Sequence, residues 1–164
     1  MTDDALGLAF AYLNRRERTA AEVRARLARA GCRAGEIEDT IDELRALGQV
    51  DDARFARLFA QDRRELDGWG HVRIANRLRE LGVERELIAE TLADEPAAEL
   101  QRAVELLERR FGRKVDGADD AGGAAGDVRV GERAFGVLIR KGYERDLAAD
   151  AVRRWRGQRD DCIG

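Results

Sequence analysis

A single proline, Pro96, stands in a chain of 164 residues, while 38% of the residues are charged. So few helix breakers among so many charges point to exposed helices laced with both signs, not to sheets. Two cysteines, Cys32 and Cys162, supply neither a disulfide framework nor a metal site, and are expected as free thiols in a reducing compartment. Lysine is nearly absent: Lys114 and Lys141 are the only two, and the other basic residues are arginines. No uncharged run approaches the ~18 residues of a membrane-spanning helix. The first residues lack the basic start and cleavage site of a secretory leader, so a cytoplasmic protein is expected. The formal net charge of −3 gives no whole-molecule field favouring nucleic acid.

What is present is helical periodicity. Leu6, Ala9, Phe10 and Leu13 share one helix face after a start at Asp3 or Asp4. Thr19-Ala20-Ala21-Glu22 reads as a capping box opening a helix with Val23, Leu27 and Ala30 inward and Gly31 as its stop. A third helix carries Ile37, Ile41 and Leu44 and ends at Gly48. Asp51-Asp52 then caps a helix whose apolar side is predicted to be Phe55, Leu58, Phe59 and Leu66. After the corner Gly68-Trp69-Gly70 come helices with Ile74, Leu78 and Leu81, then Leu87, Ile88 and Leu92. Pro96 opens a helix through Ala103, Val104, Leu107 and Phe111.

Aligning Gly31 with Gly82 puts Leu27 on Leu78, Val23 on Ile74, Ile37 on Ile88 and Ile41 on Leu92. Ala134, Leu138 and Gly142 repeat Val23, Leu27 and Gly31, and Ala148, Val152 and Trp155 follow as Ile37, Ile41 and Leu44. Three helices recurring about every 50 residues signify a tandem array. The fold class predicted is therefore all-α, three tandem three-helix repeats that resemble helix-turn-helix units, in an elongated arrangement. The expected boundaries are 1–49, 50–95 and 96–164. The last contains an insert of aspartate, glycine and alanine at 116–127, too poor in apolar surface to pack and expected as a flexible loop.

Catalytic chemistry finds no footing. His71 is the only histidine, and its place at a helix start predicts an exposed or capping role. The insert fails as a calcium loop, with Ala118 and Ala121 where a ligand and the turn glycine belong and Asp127 where a glutamate belongs. No phosphate-cradling glycine motif occurs. Neither an enzyme nor a cofactor or metal site is expected.

Local charge is more informative. Seven arginines face two glutamates between Asn14 and Arg33, and Val152–Arg159 holds four arginines without an acid. Since Val23/Leu27, Ile74/Leu78 and Ala134/Leu138 point inward, many of these bases point outward. They could form a discontinuous basic stripe against phosphates or a partner's acids, or serve only as solubilising faces. The candidates for partner contact are Arg24, Arg26, Arg73, Arg77, Arg140, Lys141, Arg153 and Arg156. Trp69 is expected as a buried wedge setting a helix angle, with an exposed aromatic anchor as the alternative. Trp155 lies on an apolar stripe and is expected in the core.

The residues Asp51-Asp52-x-Arg54-Phe55-Ala56, Arg63, Gly68, Gly70, Arg73-Ile74, Leu78 and Gly82 resemble the RecX family of bacterial recombination regulators. Tyr12-Leu13, Arg16-Glu17, Thr19, Glu22-Val23 and Arg140-Lys141-Gly142-Tyr143 fit as well, so the likeness runs from about Leu8 to Trp155. The resemblance implies a curved array of three three-helix units. It also implies binding to the RecA recombinase filament on single-stranded DNA, inhibiting its ATP hydrolysis, strand exchange and stimulated repressor cleavage. Single-stranded DNA within the filament is a further implied contact. A helical protein acting directly on DNA is the alternative. No membrane partner is expected, and a monomer is, since no coiled-coil seam is present.

Overall fold

The computed structural model describes residues 2–93, 96–112 and 123–160, and among them it contains nine α-helices and no strand. They are α1 (Thr2–Leu13), α2 (Ala20–Arg29), α3 (Ala34–Ala46), α4 (Asp52–Asp67), α5 (His71–Glu80), α6 (Arg85–Thr91), α7 (Pro96–Phe111), α8 (Gly123–Lys141) and α9 (Arg145–Asp160). The chain parts into two compact units, Met1–Gln61 with Ala75–Leu92, and Asp62–Ile74 with Ala93–Gly164. Both α4 and α5 pass from one unit to the other along their length, so the stretch 50–95 is divided between them.

In the first unit, Ala5, Ala9, Val23, Leu27, Ile37, Ile41, Leu44 and Val50 form a buried core from α1, α2, α3 and the turn after α3. Leu6, Phe10 and Leu13 pack at its edge, because α1 meets its neighbours through alanine and keeps the bulkier groups beside the contact. The same holds on α4, where the predicted apolar face is not the buried one. Ala56 and Ala60 are buried, Phe55 and Phe59 stack half-buried at 6.0 Å, and Leu58 is 46% exposed. Alanines one turn apart permit close backbone approach, and the larger side chains then flank the contact.

The helix starts are capped as their sequences require. The Thr19 hydroxyl accepts from Glu22 N (3.1 Å) and donates to Leu81 O (2.6 Å), while Glu22 accepts from Thr19 N. Asp51 accepts from Arg54 N (2.8 Å), and Asp52 caps α2 by accepting from Ala20 N (2.9 Å). Helix ends recur in the aligned register. Cys32 N donates to Leu27 O, Val83 N to Leu78 O and Tyr143 N to Leu138 O, each across a left-handed glycine, Gly31, Gly82 or Gly142. This is the Schellman pattern, which satisfies carbonyls that a helix end leaves open.

The second unit has its core between α7, α8 and α9: Ala103, Val104, Leu107, Ala134, Leu138, Tyr143, Ala148, Ala151, Val152 and Trp155. Trp155 is 1% exposed, packs on Phe111 at 5.7 Å and donates its indole N–H to Gly112 O (3.2 Å). Of the insert expected at 116–127, residues 116–122 lie outside the described residues. Residues 123–127 form the start of α8, where Ala124 and Ala125 favour helix.

Candidate partner-binding surface

The Gly68-Trp69-Gly70 corner belongs to the second unit and is built around the N-terminus of α5. Its first N–H groups have no partner within the helix, and three of them find one in the surrounding chain. Gly70 N donates to Lys141 O (2.9 Å), His71 N to Glu99 Oε1 (2.9 Å) and Val72 N to Gly142 O (3.1 Å). The approach is backbone on backbone. A Cβ on Gly70 would lie 2.5 Å from Gly142 O, and one on Gly142 would lie 2.3 Å from Arg73 Cβ. Only glycine fits at either place.

This clasp brings Arg73, Arg140 and Lys141 together. The Arg73 guanidinium lies 4.2 Å over the Trp69 ring and donates to Arg140 O (3.1 Å). Lys141 Nζ donates to Asp67 O (2.6 Å). The Arg63 guanidinium is 5.6 Å from the Trp69 ring centre and pairs with Asp67. Trp69 is thus neither a buried wedge nor a bare anchor. It is half-buried, and its ring faces guanidinium groups that it holds in place. Arg73 and Arg140 are exposed and make no ion pair among the described residues.

The remaining candidates are dispersed. Arg24 is held by a bidentate pair with Glu38 (2.8 and 3.0 Å), whose hydrogen bonds raise its pKa above the ordinary arginine value. Arg77 pairs with Glu80 (2.7 Å) and Arg153 with Asp150. Arg26, half-buried on α2, makes no ion pair among the described residues. Arg156 is half-buried against α8, its guanidinium 3.3 Å from where a Gly131 Cβ would lie.

The helix-start position of His71 predicts an exposed or capping role; its side chain is half-buried instead. Its Nδ1 lies 3.0 Å from Glu99 Oε2, and its Nε2 faces Arg64 (3.2 Å) and Arg102 (3.3 Å). Guanidinium nitrogens only donate, so Nε2 accepts and Nδ1 carries the proton given to Glu99. Burial alone would push the Glu99 carboxyl up. The hydrogen bonds from the His71 ring and backbone, with the charge of Arg102, outweigh it and hold Glu99 below the ordinary carboxylate range. Sequence reasoning missed Glu99, although the signal was there: it stands one turn before Ala103, on the apolar stripe of α7. Beside it, burial pushes the Tyr143 phenol up to about 12.

Among the described residues, no group of histidine, cysteine or acidic residues could hold a metal ion. No described helix is long and apolar enough to cross a membrane. Cys32 is half-buried as a free thiol, and Cys162 lies outside the described residues.

By fold this is an all-α protein of tandem three-helix repeats. Residues 5–44 match the family model of the first three-helix domain of RecX, and residues 51–92 that of the second. The regulatory protein RecX of Mycolicibacterium smegmatis is 34% identical over 152 residues, covering 92% of this chain and 78% of the relative. That of Mycobacterium avium is 34% identical over 151 residues, covering 92% and 83%. The crystal structure of RecX from Lactobacillus salivarius superposes with a TM-score of 0.76 at 17% identity, over 94% of this chain and 96% of that one, and shows the same fold. The chain belongs to the RecX family and is a RecX-type regulator.

Proposed function

We propose that this chain binds the RecA filament on single-stranded DNA and restrains its ATP hydrolysis, strand exchange and coprotease activity. It does so by binding alone, as a cytoplasmic monomer of three repeats (1–49, 50–95 and 96–164). The observation that carries this reading is the match of two successive three-helix domains to RecX, joined by relatives named regulatory proteins. In support, Arg73 and Arg140 meet at the Trp69 corner without carboxylates of their own, free for charge-assisted bonds to a partner's acids. Arg24, Arg77 and Arg153 are already engaged by acids of this chain and are weaker candidates. The net charge of −3 and the guanidinium-covered Trp69 ring favour protein carboxylates over bare DNA, since base stacking needs an open aromatic face.

The test is filament binding by the double variant Arg73→Glu/Arg140→Glu. A loss of about tenfold or more in affinity is expected, with helical content unchanged. Wild-type affinity in the variant would remove the corner from the binding surface. Tight, steeply salt-dependent binding of the wild type to bare DNA would favour direct action on DNA instead.

A further inference from the structure

Beside the Trp69 corner, still within the second unit, is an open depression of about 380 Å³ lined by Glu65, Leu66, Asp67, Gly68, Leu106, Arg109, Arg110 and Lys141. Its chemistry is mixed in a particular way. Arg109 and Arg110, on the last turn of α7, are exposed and make no ion pair among the described residues. Lys141 adds a third cation at the rim, its ammonium fixed on Asp67 O. The acidic side is formed by Asp67, which is paired with Arg63, and by Glu65, two acids beside three cations. Between these charges lies apolar surface. Leu66 is 75% exposed, the most exposed of the large apolar side chains described, and Leu106 rests half-buried with its Cδ1 3.0 Å from where a Gly68 Cβ would be.

We infer that this depression is a binding site for an acidic peptide segment of a partner protein that carries an apolar side chain next to its carboxylates. The carboxylates bond Arg109 and Arg110, and the apolar side chain covers Leu66 and Leu106. Charge complementarity selects the acidic segment, because guanidinium forks take carboxylates in paired hydrogen bonds. The exposed leucine selects an apolar neighbour, since covering it removes apolar area from water. A nucleic-acid backbone would satisfy the arginines but leave Leu66 wet, and on the neighbouring Trp69 ring a base would have to compete with the Arg73 guanidinium for the face it covers. The site does not rest on the filament reading, and its test uses no filament.

The experiment is an amide chemical-shift titration of the whole chain with three probes. One is a soluble Gly/Ser peptide holding a single leucine flanked by glutamates. The second has that leucine replaced by serine, and the third is an oligothymidylate of matching charge. The expected result is saturable shifts at Leu66, Gly68, Arg109, Arg110 and Lys141 with the first peptide, at sub-millimolar affinity. The serine peptide should bind about fivefold or more weakly, as should the first peptide to Leu66→Ser, and Arg109→Glu/Arg110→Glu should lose about tenfold or more. Leu66, Arg109 and Arg110 are solvent-facing, so their variants keep the fold, which unchanged helical content checks. Equal binding of the two peptides, tighter binding of the oligothymidylate at the same residues, or no shifts up to about 1 mM would each overturn the proposal.

Discussion

Gly31 and Gly142 hold the same backbone angle, φ +88°, at equivalent places in the repeat, yet their surroundings differ. A Cβ on Gly31 would meet nothing within 4 Å, whereas one on Gly142 would strike Arg73. Gly31→Ala should therefore cost only the left-handed backbone penalty, about 1–2 kcal/mol. Gly142→Ala should add about 1–3 kcal/mol of overpacking. Chemical denaturation of both variants checks the difference, and equal losses would contradict the close approach at the corner. Glu99 gives a prediction in pH. Its folded pKa is depressed, so its contribution is present above the unfolded value near 4.3 and disappears as pH falls through the folded one. The stability gap between the wild type and Glu99→Gln should be open at pH 7, narrow below about pH 5, and close in stronger acid. A gap that widens on acidification would mean that Glu99 is protonated in the folded chain.

At the scale of elements, periodicity and capping made most of the helices legible. The capping box at Thr19, the glycine stops and the inward faces at Leu27, Leu78 and Leu138 are all local signals, and the structure realises them in register. Contacts decided by distant chain were not legible. On α4, bulky residues and alanines lie on adjoining faces, and only the neighbouring helices decide which is buried. Nothing local to Arg73 told that it would bond Arg140 O across the corner, or that Glu99 would reach across from α7 to His71. Of the paired basic candidates, Arg24 meets Glu38 across two helices and was not legible, whereas Arg77 with Glu80 and Arg153 with Asp150 stand three residues apart on one helix, a spacing the sequence shows. The cap that couples elements is testable. Thr19 is fully buried and serves both α2 and the end of α5, so Thr19→Ala should cost about 2 kcal/mol and Thr19→Ser should restore most of it. A neutral Thr19→Ala would mean that the hydroxyl links nothing.

For the whole molecule, membership of the RecX family and a helical repeat fold frame the account, and the Trp69 corner gives it a location. A regulator that works by occupying its partner needs a rigid surface more than it needs a reactive group. In the proposed reading, backbone hydrogen bonds from Gly70 and Val72 to the turn at Lys141 and Gly142 would provide that rigidity, and Arg73 and Arg140 the charge. RecA ATP hydrolysis on single-stranded DNA separates restraint of the filament from competition for DNA. The protein is titrated in, with binding to the bare strand measured alongside. Inhibition is expected at concentrations that leave the bare strand unbound, with loss of that inhibition in Arg73→Glu/Arg140→Glu. Inhibition that sets in only once the bare strand is saturated, or none at all, would contradict restraint of the filament.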